Sequence, residues 1–88
     1  MKTVFLRLFY KDLDNLNDKG IKAQVKEIIL SVESSSKATE IKSLKKLKGY
    51  KHAFRIKMGD YRIGVFIVND TVEFARIAHR REVYRIFP

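Results

Sequence analysis

The tightest constraint on how this chain can fold is an alternation of apolar and charged residues that reverses about one dipeptide. In Phe54-Arg55-Ile56-Lys57-Met58 apolar residues recur at every second position, and after Gly59-Asp60 the pattern resumes at Tyr61, Ile63, Val65 and Ile67. A period of two marks a half-buried strand, and Gly-Asp suits a two-residue hairpin loop because glycine tolerates positive φ. Such a loop pairs Met58 with Tyr61, Lys57 with Arg62 and Arg55 with Gly64. Arg55, Lys57 and Arg62 then share one face of the sheet, opposite Phe54, Ile56, Met58 and Ile63. Like charges set across a ladder repel by some tenths of a kcal/mol, so their clustering points to a shared anion. Gly64 has no side chain and leaves a shallow space beside Arg55 into which a phosphate or sugar could come close. The alternative is an ordinary solvent-facing sheet surface with each cation hydrated singly.

The remaining elements follow from the same periodicities. Val4 to Tyr10 is rich in β-formers, with Val4, Leu6 and Leu8 on one parity, and reads as a first strand. Lys11 to Leu16 reads as a short helical turn. Asp18 can cap a helix whose apolar stripe is Ile21, Val25, Ile28, Ile29 and Val32 and which ends in Ser34-Ser35-Ser36. Between Glu40 and Lys51, Ile41, Leu44 and Leu47 stand three apart, which fits one or two helical turns or an irregular connection stopped at Gly49. A second hairpin turns at Asn69-Asp70 into Thr71 to His79. A two-residue loop there places Arg76 and Arg80 on the Ile63 face, where two unpartnered arginines would be costly. The expected remedy is an odd-length loop, a bulge, or a strand that stops before Arg80. The order is strand, helix, helix, then three antiparallel strands: a single α+β domain over residues 1–88, with helices covering one face of the sheet.

Composition narrows the partner. The chain has 88 residues, 45% hydrophobic, one proline, four glycines and no cysteine. That length holds one thin core, and the missing cysteines exclude disulfide staples, thiolate metal sites and a cysteine nucleophile. No membrane span or targeting segment is visible, so the expected compartment is the cytoplasm. The net charge of +9 is unevenly placed: residues 1–40 carry seven Lys and Arg against six Asp and Glu, and residues 41–88 carry twelve against four. Basicity gathered in one half of a small domain favours nucleic acid.

The chemistry expected of this half runs without a metal or cofactor. Its acids are Asp60, Asp70, Glu73 and Glu82, too dispersed for a metal constellation, and it has no phosphate-binding glycine loop, GxSxG or HExxH motif. RNA allows phosphate chemistry driven by cations alone. Its 2′-OH can attack the adjacent phosphorus once a base takes the proton, cations stabilise the added charge, and an acid protonates the 5′-oxygen. Near the C-terminus, His79 is a candidate proton donor or acceptor, although a lone histidine at a strand end is more often a surface residue. Tyr84 can stack on a base or close the core beside Val83 and Phe87. Arg55, Arg76, Arg81 and Lys51 are candidate ligands for the RNA backbone.

Leu47-Lys48-Gly49, Phe54-Arg-Ile-Lys57-Met-Gly-Asp-Tyr61-Arg62-Ile and Ile77-Ala-His79-Arg80-Arg81-Glu-Val-Tyr84 together resemble the RelE/ParE superfamily of type II toxins, over essentially the whole chain. The RelE branch implies a toxin that enters the ribosomal A site and cleaves mRNA without a metal. On that resemblance Arg55 and Lys57 match paired basic positions of the second strand, Arg62 matches the arginine of the YR pair, and Arg80 and Tyr84 match the arginine and tyrosine of the ending, across a gap. Arg55 stands where the family has a lysine. Arginine is a poor proton acceptor, so a base role passes to Lys57 or His79. The chain stops at Phe87-Pro88 with no additional C-terminal helix expected. The resemblance also implies a cognate antitoxin that masks the basic surface. The ParE branch implies a different target, DNA gyrase, with no RNA cleavage, and an inactive basic module that docks only RNA or antitoxin is the third reading.

Overall fold

The computed structural model describes residues 1–88 and begins with a strand shorter than the β-forming composition suggests. β1 is Lys2–Phe5 and lies parallel to the last strand. The Leu6 N–H still donates to Phe74 O at 2.9 Å, but the chain then winds into α1, Arg7–Asp14. The expected strand over 4–10 is therefore corrected at its C-terminal half. The helix carries Phe9, which has no exposed surface, into the core, where its ring meets Phe74 at 5.5 Å and Phe5 at 6.1 Å. A continued strand would have left this aromatic cluster without its central ring, and burying a phenylalanine stabilises by about 1.5–3 kcal/mol.

α2 spans Lys19–Ser34 and starts as expected at Asp18, whose Oδ1 accepts from the N–H groups of Gly20 at 2.8 Å and Ile21 at 3.2 Å. Its buried Val25 and Val32, with Ile21, Ile28 and Ile29 beside them, press on the sheet. A 3-10 turn at Ala38–Glu40 leads to β2, Leu44–Lys46, so the helical turns admitted for the 40–51 segment give way to an edge strand. β3 (Ala53–Met58), β4 (Tyr61–Val68) and β5 (Thr71–His79) complete a five-stranded sheet in the order β1-β5-β4-β3-β2, one strand more than the sequence indicated. The β3–β4 register is the expected one, from Met58↔Tyr61 to Arg55↔Gly64, with Gly59 at φ 57°.

The β4–β5 hairpin does have a two-residue loop, Val68↔Thr71 being the closing pair, and the parity conflict is resolved by a bulge. Val65 faces Phe74 but Gly64 faces Arg76, so Ala75 is the additional residue. Phe74 and Ile77 can then both point to the inner, α2-covered face, with Ile56, Met58, Ile63 and Val65. Arg76 stays on the outer face. A short α3, Val83–Ile86, folds back over that outer face, where Val83 and Phe87 join Ala53 and Ala75 in a second apolar cluster. A helix beyond β5 was not expected, and helices thus cover both faces, although the α+β class is unchanged.

Candidate nucleic-acid interface

The outer face presents its cations in two rows set by the ladder. Lys45, Arg55, Gly64 and Arg76 form one row across β2, β3, β4 and β5; Lys57, Arg62 and Ala78 form the next. The structure therefore brings Arg55, Lys57 and Arg62 together as the alternation implied. It also adds Lys45, missed because the segment that carries it did not read as a strand.

None of these four cations has a carboxylate partner. The three ion pairs of the molecule are Arg76–Asp12 at 2.8 Å, Arg80–Asp60 at 3.9 Å with both ends exposed, and Arg85–Glu82 within α3's first turn. The two face arginines are instead held by neutral main-chain acceptors. Arg62 Nη1 donates to Gly59 O at 2.7 Å and Tyr61 O at 2.8 Å, and Arg55 Nη1 donates to Ser43 O at 2.7 Å. A guanidinium has five N–H donors, so each arginine is oriented while keeping its charge and most of its donors for a ligand. Lys57, which has no such tether, is exposed.

Other expected site residues lie elsewhere or are already engaged. The Arg76 guanidinium is clamped by Asp12 of α1, with Nε to Oδ2 at 2.8 Å and Nη2 to Oδ1 at 3.0 Å, and the same Oδ2 accepts from the Ile77 N–H at 3.0 Å. Hydrogen bonding to Asp12, reinforced by its charge and opposed by burial, holds the Arg76 pKa above the ordinary guanidinium value. This clamp ties α1 to the edge of β5 beyond the end of β1, so the Arg76 guanidinium, unlike those of Arg55 and Arg62, is already engaged by a carboxylate. His79 pairs with Tyr61 in the ladder and meets its ring edge-on at 5.8 Å, which puts it on the inner-face parity with Ile77, away from Lys57 and Arg62. Its Nδ1 accepts from the Arg81 N–H at 3.2 Å. Lys51 is exposed in the loop before β3, at the opposite end of that strand from Lys57. The space expected over Gly64 is filled: a Cβ there would stand 2.5 Å from the Phe87 ring, so this glycine seats an aromatic side chain.

At the hairpin end of the face, the Arg80 N–H donates to Asp60 O at 2.7 Å, fixing the turn that follows β5 beside the β3–β4 loop. Arg80 and Arg81 are exposed there. Of the two roles open to Tyr84, core closure belongs to its neighbours, since Val83 and Phe87 are buried while Tyr84 is 56% exposed. Its ring is free to stack. No three His, Asp or Glu side chains converge where they could hold a metal ion. The ensemble is an open cationic surface able to take a phosphate among Arg55, Lys57 and Arg62, on the same face of the sheet as the short helix that carries the exposed Tyr84.

Known proteins of the same build share this arrangement of elements. The profile of the family described as "ParE toxin of type II toxin-antitoxin system, parDE" matches residues 4–84. The chain is 38% identical to Toxin RelE3 of Methanocaldococcus jannaschii over the full length of both proteins. In structure it is similar to a chain of a RelB-RelE antitoxin-toxin complex from Methanococcus jannaschii, at a TM-score of 0.81 and 36% identity, covering 97% of this chain and 99% of that one. It is also similar to a chain of the RelBE2 toxin-antitoxin complex from Mycobacterium tuberculosis, at a TM-score of 0.72 and 26% identity over 90% and 96% of the two chains.

Proposed function

The chain belongs to the RelE/ParE superfamily of type II toxin-antitoxin toxins, and from that premise we propose that it is an endoribonuclease that cleaves mRNA in the ribosomal A site. The observation that carries the reading is the set of Arg55, Lys57 and Arg62 on two adjacent rows of one sheet face, without a carboxylate partner. A pentacoordinate phosphorus bears more negative charge than the diester from which it forms. Cations already fixed in place stabilise that increment without reorganising.

In this reading the scissile phosphate lies among Arg55, Lys57 and Arg62, with Arg80 at its hairpin side. The adjacent 2′-oxygen bonds to phosphorus as the bond to the 5′-oxygen breaks. The Lys57 ammonium gives a proton to the leaving 5′-oxygen, and the proton released by the 2′-OH, passed through solvent, restores it, leaving a 2′,3′-cyclic phosphate and a 5′-OH. A lysine ammonium can exchange its proton where a guanidinium effectively cannot, so Lys57 is the one of the three suited to proton transfer. Arg55 and Arg62 stabilise charge. Tyr84 stacks on a nucleotide and orients the attack, which is worth most where ribose and phosphate must be brought in line. His79, on the other parity, has no part in it.

The toxin acts in the cytoplasm, where its substrate is, and a cognate antitoxin masks the cationic face until released. The test is expression in growing cells followed by primer extension on abundant mRNAs. Cuts within codons at the A site are expected, and Arg62→Ala combined with Tyr84→Ala abolishes them. Chromosomal DNA breaks without mRNA cuts would show a gyrase-directed poison instead.

A further inference from the structure

Ser43 stands immediately before β2 with φ 62°, in the left-handed region. Non-glycine residues seldom adopt it, and β-branched residues hardly at all. Backbone of this kind persists where the surroundings hold it, often at a functional site. Here its effect falls on one atom. Ser43 O accepts from the Lys57 N–H at 3.1 Å and from Arg55 Nη1 at 2.7 Å.

The geometry of the ladder gives these two bonds a meaning. Arg55 is the cross-strand partner of Lys45 and lies one same-face step behind Lys57, about 6.6 Å back at the rise of a strand. Left to itself its side chain would stand over its own row. Ser43, however, continues β2 opposite Lys57, as the Lys57 N–H bond shows, so a guanidinium held on its carbonyl leans forward to the Lys57 row. Lys57 then has Arg62 on one side and the Arg55 head on the other. Because the acceptor is a neutral carbonyl, this convergence leaves the positive charge intact, which a carboxylate would have cancelled.

We infer that Ser43 is a positioning residue whose left-handed backbone aims the carbonyl that gathers Arg55 beside Lys57, so that three separate sheet cations form one phosphate site. The identity of the phosphate as that of a scissile mRNA linkage rests on the function proposed above; the gathering of the cations does not. Its side chain matters only through the backbone it permits, so Ser43→Gly and Ser43→Asn, both tolerant of positive φ, retain the site. Ser43→Val removes it.

The probe is a fluorescein-labelled, unstructured RNA oligonucleotide titrated with the purified toxin at low salt and followed by anisotropy. Ser43→Gly and Ser43→Asn bind within about two-fold of the parent, and Ser43→Val binds on the order of ten-fold more weakly, the loss of one charge-assisted contact. The slope of log K against log salt falls by about one for Ser43→Val, as it does for Arg55→Ala. In an Arg55→Ala background Ser43→Val has no further effect. Should Ser43→Val not fold, as judged by its melting curve, Ser43→Ala replaces it in the same cycle. Equal binding by Ser43→Val, an equal loss for Ser43→Gly, a penalty that persists without Arg55, or a parent protein that does not bind the oligonucleotide each overturns the inference. mRNA cuts in cells would stand in all of those cases. A closed cycle with no cuts in cells leaves Ser43 in its role and removes the ribonuclease reading.

Discussion

Gly64→Ala adds one carbon where the outer face is tightest. The new Cβ would stand 2.5 Å from Phe87 Cγ and Cδ2 and 2.8 Å from Cδ1, whereas carbons in contact settle about 3.5–4.0 Å apart. The Phe87 ring must retreat by about 1 Å, yet it is 3% exposed and already packed on Phe66 at 5.1 Å. Overpacking of this kind costs about 1–3 kcal/mol, and the narrower unfolded ensemble of alanine returns about 0.4–1 kcal/mol. The midpoints leave a net loss of about 1.3 kcal/mol, which lowers the melting temperature of so small a domain by about 5–10 °C. Thermal unfolding followed by circular dichroism measures it, and the cause is isolated by repeating the change in a Phe87→Leu background. With the flat ring gone, the same methyl costs less than about 0.5 kcal/mol. A Gly64→Ala protein as stable as the parent, or a penalty indifferent to residue 87, would refute the claim that Gly64 exists to seat Phe87. Because Phe87 anchors α3, Gly64→Ala also displaces Tyr84 and should reduce toxicity by more than its stability loss explains.

Asp12→Ala removes three acceptor contacts and strands a largely buried guanidinium, lowering stability by about 3 kcal/mol in urea denaturation, while Asp12→Asn loses about half of that. The raised Arg76 pKa means that this contribution is complete below the ordinary guanidinium range and is lost only above it, so the stability difference between parent and Asp12→Asn stays flat from about pH 6 to 9. Arg76→Ala destabilises the fold but changes RNA affinity by less than about two-fold, whereas Arg62→Ala weakens binding about ten-fold and lowers the salt slope by about one; anisotropy titrations at several salt concentrations separate the two. His79→Ala leaves the pH profile of mRNA cleavage on ribosomes unchanged, and a profile that loses a limb near neutrality would restore the histidine as acid or base.

What the sequence made legible was whatever local periodicity controls. The β3–β4 register needed only the alternation and Gly59-Asp60, and it carried Arg55, Lys57 and Arg62 to one face. Asp18 and the stripe from Ile21 to Val32 likewise placed α2. The misread segments were those decided by distant partners. Leu6, Leu8 and Tyr10 look like strand, but Phe9 is drawn into a helix by Phe5 and Phe74, and Asp12 then finds Arg76 and Ile77, more than 60 positions away. Leu44–Lys46 imitates a helical spacing and becomes strand because the edge of β3 is there to pair with it, hiding Lys45 from the cationic set. Arg76 was legible as a cation but not as a clamped one. The purpose of Gly64 depended on Phe87, whose return over the sheet no periodicity of the intervening residues announced.

On the function proposed above, this cationic face cleaves RNA through the substrate's own 2′-OH. The direct measurement is single-turnover cleavage of an mRNA held in programmed ribosomes by purified toxin, comparing an all-ribose A-site codon with one carrying a single 2′-deoxy substitution at the cleaved nucleotide. The first yields a product ending in a 2′,3′-cyclic phosphate, the second is not cleaved at that linkage, and Lys57→Ala loses both cleavage and product. Cleavage that survives the 2′-deoxy substitution, or an all-ribose message left intact by a toxin that still arrests growth, would contradict that function.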